Sequence, residues 1–586
     1  MNRTFSIALL LSLLCFLMAG CGGGGGSPST GKLVYKTDWT NRSRSVTGLS
    51  QRVQIFDLSN RLVDSISLNQ DFPSEQVVQM GSHPTGTYRL HIELFSQRDL
   101  GGIKTGEIDT YFLLSGTRNF LTAVGEDPTT VAVTPSNATM QVQVSKQFLA
   151  TAYAAPGRAV FSAPGNWEWS ELGSHASVTN AGLALGLSAG SGSIRARHIE
   201  SGLQNSATYT VEPFEAVTKK WTVLVFMNAA NDLYPFSTLN MNQLESVAQN
   251  PDVRVLVQWK QSQSLFSGST FDGTRRYLVK PDSTSAIASQ LLIDMGLGVD
   301  MGQPETLNDF IEWANTYYPG ERTVLIVWNH GNGWRQRPIE EQITRAVSYD
   351  DETGNAIQIW ELAQAFGDNH FDILAWDASL MQMMEVAYEA KDHATYVVGS
   401  EESPPGEGYP YDLIFDDFRD RPDDTTLNLA KEFVNGMLAV PEYQSRKITQ
   451  SVIETAKLSD LATSLNSLAN ELIANETDLT AAVQTVRSQA QSYSPTTVRV
   501  YRDLIDITER LEALSSISSV DLALADVRAK AQAAVVFEGH NTNSSGSRGI
   551  AIDWSSADVF SSSSKDYGLL RFAADTNWNE WLSTAP

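Results

Sequence analysis

Cysteine is almost absent from this chain of 586 residues, which has two, Cys15 and Cys21, and none after position 21. Disulfides and thiol chemistry are therefore excluded from residues 22–586. Basic side chains are also scarce, with 42 Lys and Arg against 67 Asp and Glu and a net charge of −25. A field of this sign repels nucleic acid, so no nucleic-acid partner is expected. It favours cationic partners such as Lys- or Arg-rich peptides and divalent cations.

Runs of transmembrane length are missing as well. The apolar run from Phe5 to Met18 is too short to span a bilayer comfortably, and no other segment approaches that length. The run ends in Leu17-Met18-Ala19-Gly20-Cys21, which resembles the lipobox at which bacterial lipoprotein signal peptides are cut and the cysteine is acylated.

The glycine-rich stretch that follows Cys21 is typical of a flexible tether. We therefore predict a lipoprotein signal peptide over residues 1–20, lipidation of Cys21 and a tether over residues 21–30. Because Gly22 rather than Asp follows the cysteine, we expect the chain in the cell envelope, lipid-anchored at the outer membrane or cell surface. The lipid anchor is the one membrane contact that the sequence predicts.

Two regions of short strands follow the tether. In residues 31–130, segments such as Val53–Leu58 and Tyr88–Leu94 alternate apolar with polar residues, which predicts a β-sandwich domain. Residues 131–212 contain further short strands in an order that resembles bacterial Ig-like domains. Neither region has a convergent cluster of acid, base or metal-binding side chains, so we expect a spacer or weak ligand-binding role for both.

Residues 219–586 change to short, solid apolar strands that alternate with helical stretches, such as those predicted over Thr306–Tyr318 and Ile357–Phe366. This alternation predicts an α/β/α sandwich with helices on both faces of a parallel sheet, in a multidomain protein. Reacting groups of such folds lie just beyond the carboxyl ends of strands. The predicted parallel strands are Trp221–Met227, Val253–Trp259, Thr323–Trp328 and Phe371–Trp376.

Chemistry-bearing residues follow the last two of these strands. His330 lies in a glycine-flanked turn, where Gly331 leaves its backbone N–H approachable as an oxyanion donor. Asp377 and Ser379 follow the other strand. We expect Ser379 at the start of the next helix, where its own N–H and the helix dipole would favour developing negative charge.

Five ordered motifs make residues 219–586 similar to the clostripain family of cysteine peptidases, which have the caspase–gingipain fold. They are WTVLVFMNAAND at 221–232, NHGNGW at 329–334, DDETGN at 350–355, DASLMQMMEVAY at 377–388 and SEESPPGEGYPYD at 400–412.

The resemblance implies a role for each matching position. The family's DACLM-like motif carries a catalytic cysteine, and Ser379 stands in its place; His330 matches the catalytic histidine. Asp377 and Glu407 match acidic positions that line the pocket for a substrate Arg or Lys, although Asp is usual where Glu407 stands. The resemblance also implies calcium, with Asp350 and its neighbour Asp351 in the matching acidic loop, but it does not identify the metal ligands.

Three functions follow as alternatives. A serine hydroxyl is far harder to ionise than a thiol and needs a well-oriented histidine, and the sequence assigns no third residue to orient His330. One hypothesis is therefore a surface-anchored pseudoenzyme that binds basic peptides through Asp377 and Glu407 without cleaving them. A second is an active endopeptidase with Ser379 as nucleophile and His330 as base. A third is an adhesin-like lipoprotein that makes its contacts through the Ig-like region.

Overall fold

The structure is a computed structural model that describes residues 30–38, 48–58, 62–69, 75–115, 119–247, 250–335, 347–493 and 500–586. The predicted signal peptide, Cys21 and the glycine-rich run lie outside the described residues. None of the helices within these ranges is both long and apolar enough to cross a bilayer. Among these described residues the chain forms two compact units, one of residues between 30 and 132 with 149–166 and 198–204, the other of residues 133–148, 167–197 and those from 205 onward.

The first unit has two β-sheets that share one apolar core. A four-stranded sheet has the order β3-β2-β5-β6, and a six-stranded sheet has the order β4-β1-β7-β12-β11-β8. Tyr35 of the larger sheet and Val53 of the smaller one belong to the same buried cluster. The strands predicted around Val53 and Tyr88 are confirmed as an antiparallel pair, β2 and β5. The strands are β1 Thr30–Asp38, β2 Ser50–Phe56, β3 Leu62–Asn69, β4 Glu75–Pro84, β5 Gly86–Phe95, β6 Lys104–Leu114, β7 Asn119–Val124, β8 Thr130–Thr134, with β11 Leu149–Ala155 and β12 Arg158–Val160.

Shorter strands open the second unit. They form a four-stranded sheet, β13-β16-β17-β9, and a three-stranded sheet, β10-β15-β14. Similarity to Ig-like domains stays a prediction for this region. The strands are β9 Asn137–Gln141, β10 Ser145–Gln147, β13 Trp167–Leu172, β14 Ala176–Val178, β15 Leu183–Gly186, β16 Gly190–His198 and β17 Gln204–Glu212.

A nine-stranded mixed sheet is the centre of the second unit, with the order β21-β20-β19-β18-β22-β25-β26-β27-β30. The five inner strands from β19 to β26 are parallel and are flanked on each side by antiparallel strands. All four predicted parallel strands are confirmed. The strands are β18 Lys219–Ala229, β19 Val253–Gln261, β20 Gly273–Leu278, β21 Gln290–Gly296, β22 Gly320–Trp328, β25 Phe371–Asp377, β26 Ala394–Gly399, β27 Thr449–Glu454 and β30 Val535–His540.

Small sheets complete the strands of this unit. A hairpin of β23 Val347–Asp350 and β24 Asn355–Ile357 lies between β22 and β25 in the chain, and β28 Ser492–Tyr493, β29 Tyr501–Asp503 and β31 Ala551–Asp553 form a three-stranded sheet.

Helices cover both faces of the nine-stranded sheet, as predicted for an α/β/α sandwich. Phe310 of α2 and Leu465 of α7 belong to one buried cluster, and Met241 of α1 and Phe433 of α6 to the other. The helices are α1 Tyr234–Val247, α2 Pro304–Tyr317, α3 Leu362–Phe366, α4 Met384–Glu389, α5 Tyr411–Asp420, α6 Thr426–Ala439, α7 Leu458–Ala474, α8 Glu476–Gln489, α9 Leu504–Leu514, α10 Ser518–Ala534, α11 Ala557–Phe560, α12 Ser564–Tyr567, α13 Arg571–Asp575 and α14 Trp578–Thr584.

The two predicted helices fare differently. The one predicted over Thr306–Tyr318 is confirmed as α2. The one predicted over Ile357–Phe366 is correct only in its second half, because Ile357 ends β24 and Ile359–Glu361 is a 3₁₀ turn before α3.

Candidate active site

Four neighbouring parallel strands end at one edge of the nine-stranded sheet. Met227 of β18 pairs with Trp328 of β22, Trp328 pairs with Asp377 of β25, and Ala375 pairs with Val398 of β26. Because parallel strands end on the same side, the residues that follow them converge there.

The residues at this edge include both predicted reacting groups. His330 follows β22 and Ser379 follows β25, as expected from the sequence. The other two strands bring residues that sequence reasoning missed. Asp232 follows β18, and Ser403 follows β26.

Asp232 is the hydrogen-bond partner of His330. The imidazole Nε2 lies 2.5 Å from the Asp232 Oδ1, and the histidine side chain is 28% exposed, which leaves it accessible from solvent. A carboxylate in this position fixes the ring orientation and stabilises the imidazolium form. The sequence assigned no residue to orient His330, and the geometry supplies Asp232 for this role.

Ser379 is bonded to another hydroxyl rather than to the histidine. Its Oγ lies 3.2 Å from the Oγ of Ser403, and the backbone N–H of Ser403 donates to Glu402 at 2.9 Å. Among the described residues no hydrogen bond joins His330 to Ser379. The serine and the histidine thus share an edge, but the proton path that a nucleophile and its base require is not formed.

The turn around Ser379 differs from the prediction. The next helix, α4, begins at Met384, so Ser379 lies five positions before it and outside the reach of its dipole. Leu380, fully buried, adopts a left-handed backbone conformation with φ +61°, which costs free energy for a branched side chain. A tight turn, not a helix start, therefore presents Ser379.

Gly331 lies against this turn, close to Ser379, which is where the sequence predicted it. A methyl group on Gly331 would lie 2.6 Å from the backbone oxygen of Ser379 and 2.9 Å from the sulfur of Met381. Only glycine fits this approach of two backbones. The role of its N–H as an oxyanion donor remains a prediction.

Buried amides hold the base of the His330 turn. The side chain of Asn329 donates to the backbone oxygens of Asn228 and Tyr349 at 2.6 and 3.0 Å and accepts from the Tyr349 N–H at 2.9 Å. These bonds join the ends of β18 and β22 to the β23–β24 hairpin. The positions of Asp232 and His330 therefore depend on that hairpin.

A buried cation fixes the same hairpin. The ammonium of Lys260, at the end of β19, contacts both oxygens of Asp350 at 2.7 and 3.0 Å, Glu352 at 2.7 Å and the backbone oxygen of Val299 at 2.7 Å. The side chains of Lys260 and Asp350 are both fully buried. An ion pair of this kind has no water to replace a lost partner.

The calcium that the resemblance implies does not fit Asp350. A calcium ligand needs a free carboxylate oxygen, and Lys260 and the N–H of Met301 already use both oxygens of Asp350. Within the described ranges, no group of three or more His, Cys, Asp or Glu side chains is arranged to hold a metal ion.

Asp377 is buried beneath the edge. It accepts hydrogen bonds from the hydroxyl of Tyr411 at 2.8 Å and from the backbone N–H of Tyr409 at 3.1 Å. Burial raises the pKa of the Asp377 carboxyl to about 7, although both hydrogen bonds act to lower it. Gly408, with φ +69°, allows this approach, because a methyl group there would lie 2.7 Å from the carboxylate.

Glu407 is partly exposed and has a basic neighbour from the same chain. Its carboxylate lies 3.4 Å from the Arg446 guanidinium, and the two side chains are 35% and 53% exposed. The adjacent Lys447 contacts Glu402 at 3.3 Å. Of the two acidic positions predicted for a substrate Arg or Lys, Glu407 is therefore met by a cation of the chain itself, whereas Asp377 is met by the hydroxyl of Tyr411 and the N–H of Tyr409.

The missed residues had a signal in the sequence. Reacting groups follow parallel strands, and Asp232, at the end of the first motif, follows the predicted strand β18 as His330 follows β22. Ser403 follows β26, a strand that the sequence analysis did not identify. The contact of Arg446 with Glu407 joins positions 39 residues apart and had no local signal.

Comparison with known proteins gives one family. The Clostripain family matches residues 225–584, which is more than half of the chain. Clostripain of Hathewaya histolytica is 25% identical over 221 residues, which cover 34% of this chain and 42% of that protein. The match thus spans less than half of the length of this curated relative.

Solved structures of similar proteins include an inactive zymogen C11 protease from Parabacteroides distasonis, with a TM-score of 0.48 and 21% identity over 62% of this chain and 99% of that one. A secreted C11 cysteine protease from Bacteroides thetaiotaomicron, in complex with an irreversible peptide inhibitor, has a TM-score of 0.46 and 20% identity over 61% and 99% of the two chains.

We predict that Lys260→Met destabilises the protein by about 3–5 kcal/mol, because it leaves the buried carboxylate of Asp350 without its cation. The double variant Lys260→Met/Asp350→Asn should recover much of the loss. Denaturant unfolding of the full-length protein measures both. Lys220→Met, which removes a partly exposed lysine from ion pairs with two exposed aspartates, serves as control and should change little. Equal losses in the single and double variants would contradict the prediction.

The raised pKa of Asp377 predicts a pH dependence of stability. The folded state holds a proton on this carboxyl up to about pH 7, whereas the unfolded chain releases it near pH 4. Compared with Asp377→Asn, the natural protein should therefore be most stable below about pH 4 and lose up to about 4 kcal/mol as the pH rises to 7. A difference between the two unfolding free energies that stays constant from pH 4 to pH 8 would show that Asp377 titrates normally.

Proposed function

The chain belongs to the clostripain family, and from that premise we propose that it binds peptide segments containing Arg or Lys at this sheet edge without cleaving them as a cysteine peptidase does. Ser379 takes the position of the nucleophile, so the protein acts as a binding module with a peptidase fold.

The observation that carries this proposal is the pairing of Ser379 with Ser403. A hydroxyl becomes a nucleophile only when a base within hydrogen-bond reach takes its proton. The hydroxyl of Ser379 is instead bonded to a second hydroxyl, which is a poor base, and His330 is bonded to Asp232. A cysteine at the same position would need less help, because its pKa of about 8.5 is easily lowered beside a histidine.

Charge supports the basic ligand. Burial raises the pKa of the Tyr443 phenol above its usual range. The nearby carboxyl groups of Asp377, Glu407 and Asp412 raise it further, and the guanidinium of Arg446 lowers it. Glu407 and Asp412 outnumber Arg446 among these groups, and Asp377 adds a further negative charge only as the pH rises above about 7. A protein of net charge −25 adds a long-range attraction for cationic segments.

Anchoring at the cell surface is part of the proposal and rests on the sequence alone. The lipobox-like segment that ends in Cys21 and the glycine-rich tether would hold the binding edge away from a membrane. Calcium is proposed only by the family resemblance, and it would bind at residues other than Asp350.

A second candidate function has one specific observation in its favour. Asp232, His330 and Ser379 follow three neighbouring strands, and the first two form a carboxylate–histidine pair, although Asp232 bonds Nε2 rather than the Nδ1 that the carboxylate of a serine-hydrolase triad bonds. To complete a triad, the hydroxyl of Ser379 would have to leave Ser403 and bond to Nδ1 of His330, because Nε2 already bonds to Asp232. This candidate is an endopeptidase with Ser379 as nucleophile.

We expect the natural full-length protein to show no turnover of Arg- or Lys-containing peptide reporters, and Ser379→Cys to gain it. The physical reason is that a thiol beside His330 ionises near neutral pH whereas a hydroxyl does not. Reporter release with and without calcium measures both proteins. Adding His330→Ala to Ser379→Cys should abolish the gain. Turnover by the natural protein that is lost in Ser379→Ala would contradict the proposal and establish the hydrolase.

Asp232→Asn separates the two candidates further. If Ser379 is the nucleophile, loss of the orienting carboxylate should lower kcat of the natural protein with little change in KM, by less than the factor of about 10⁴ that a buried triad carboxylate contributes, because Asp232 is 75% exposed. If only Ser379→Cys is active, a thiolate–imidazolium pair needs the carboxylate less, and the same change should cost far less. Asp558→Asn, an exposed control, should leave kcat unchanged in either background. No effect of Asp232→Asn in an active protein would refute the positioning role of Asp232.

A further inference from the structure

We propose that Arg446 is a tethered occupant of the acidic pocket, which an incoming Arg or Lys side chain has to displace from Glu407. The inference rests on the proposed binding of basic side chains at this position. Arg446 would then compete with a peptide for Glu407, and the affinity of a peptide would depend on how well its basic side chain displaces this arginine.

The geometry supports an internal ligand. Arg446 presents the same functional group as the proposed substrate and lies 3.4 Å from the Glu407 carboxylate. The positive charge of the guanidinium also lowers the pKa of Tyr443, which the charges of Asp377, Glu407 and Asp412 raise. Arg446 is thus the cation that this corner of the edge already holds.

The backbone of Arg446 is fixed although its side chain is exposed. The hydroxyl of Tyr443 donates to the backbone oxygen of Gly408 at 2.9 Å, which joins the segment before Arg446 to the turn that carries Glu407. The N–H of Arg446 donates to the Tyr443 oxygen at 2.9 Å, and the side chain of Asn541 donates to the Arg446 oxygen at 2.6 Å. The guanidinium can therefore leave Glu407 without any change of the backbone.

The contact itself is weak enough to be displaced. A single contact at 3.4 Å between half-exposed groups contributes little, because water screens both charges. A bidentate Arg–carboxylate pair from a bound peptide would be stronger. Arg446 therefore lowers the affinity for basic side chains modestly and does not block the pocket.

The test compares two peptides and three proteins. One fluorescent peptide contains a single Arg among neutral residues, and the other has neutral citrulline in its place. Their Kd values are measured by fluorescence anisotropy on the full-length natural protein, Arg446→Ala and Arg197→Ala. The last removes the same charge from an exposed pair, in which Arg197 contacts Glu168 at 3.0 Å.

We expect Arg446→Ala to bind the Arg peptide about two- to fivefold more tightly than the natural protein, the gain that loss of a weak surface contact allows. The citrulline peptide and Arg197→Ala should show no such gain, and high salt should reduce the difference. Thermal unfolding should be nearly the same for all three proteins, since both arginines are about half exposed.

Two results would overturn the inference in distinguishable ways. If Glu407→Gln, measured as a fourth protein, weakens binding of the Arg peptide but Arg446→Ala does not strengthen it, Arg446 is no competitor although the pocket is real. If none of the proteins distinguishes arginine from citrulline, the acidic pocket itself is wrong, and its internal occupant is refuted with it.

Discussion

Parallel pairing of β18, β22, β25 and β26 is the constraint on which the site depends. Each strand ends at the same edge, so four segments distant in the chain deliver Asp232, His330, Ser379 and Ser403 to one place. The helices on both faces bury these strands and leave them no freedom to shift register. The order of the strands therefore determines which residues meet at the site, and the turns after the strands set their exact positions.

Charge is compensated unevenly around this edge. Lys260 neutralises Asp350 where the hairpin must be rigid, and both side chains are fully buried. Asp377 has two hydrogen-bond donors and a pKa of about 7, so its proton substitutes for a counter-ion over much of the pH range. Glu407, nearer to solvent, has a weak partner in Arg446. The acidic side chains are therefore neutralised most strongly in the buried interior and most weakly at the surface, where a ligand would bind.

The sequence predicted the regular strands well and the hydrogen-bond partners of side chains poorly. Solid apolar runs predicted the four parallel strands, and the positions after β22 and β25 predicted the shared edge of His330 and Ser379. The helix expected at Ser379 was wrong, because the left-handed Leu380 makes a turn that no periodicity reveals. Hydrogen bonds such as those of Ser379 with Ser403 depend on side-chain rotamers and on segments far apart in the chain. They become visible only in three dimensions.

The turn that presents Ser379 is held by burial of Leu380 and by the close approach of Gly331, and neither depends on the atom at the tip of residue 379. Serine and cysteine differ there by one atom, and some of their codons differ by one base. A single nucleotide change could therefore exchange a hydroxyl for a thiol without rebuilding the surrounding scaffold. The architecture keeps the two chemistries within one mutational step of each other.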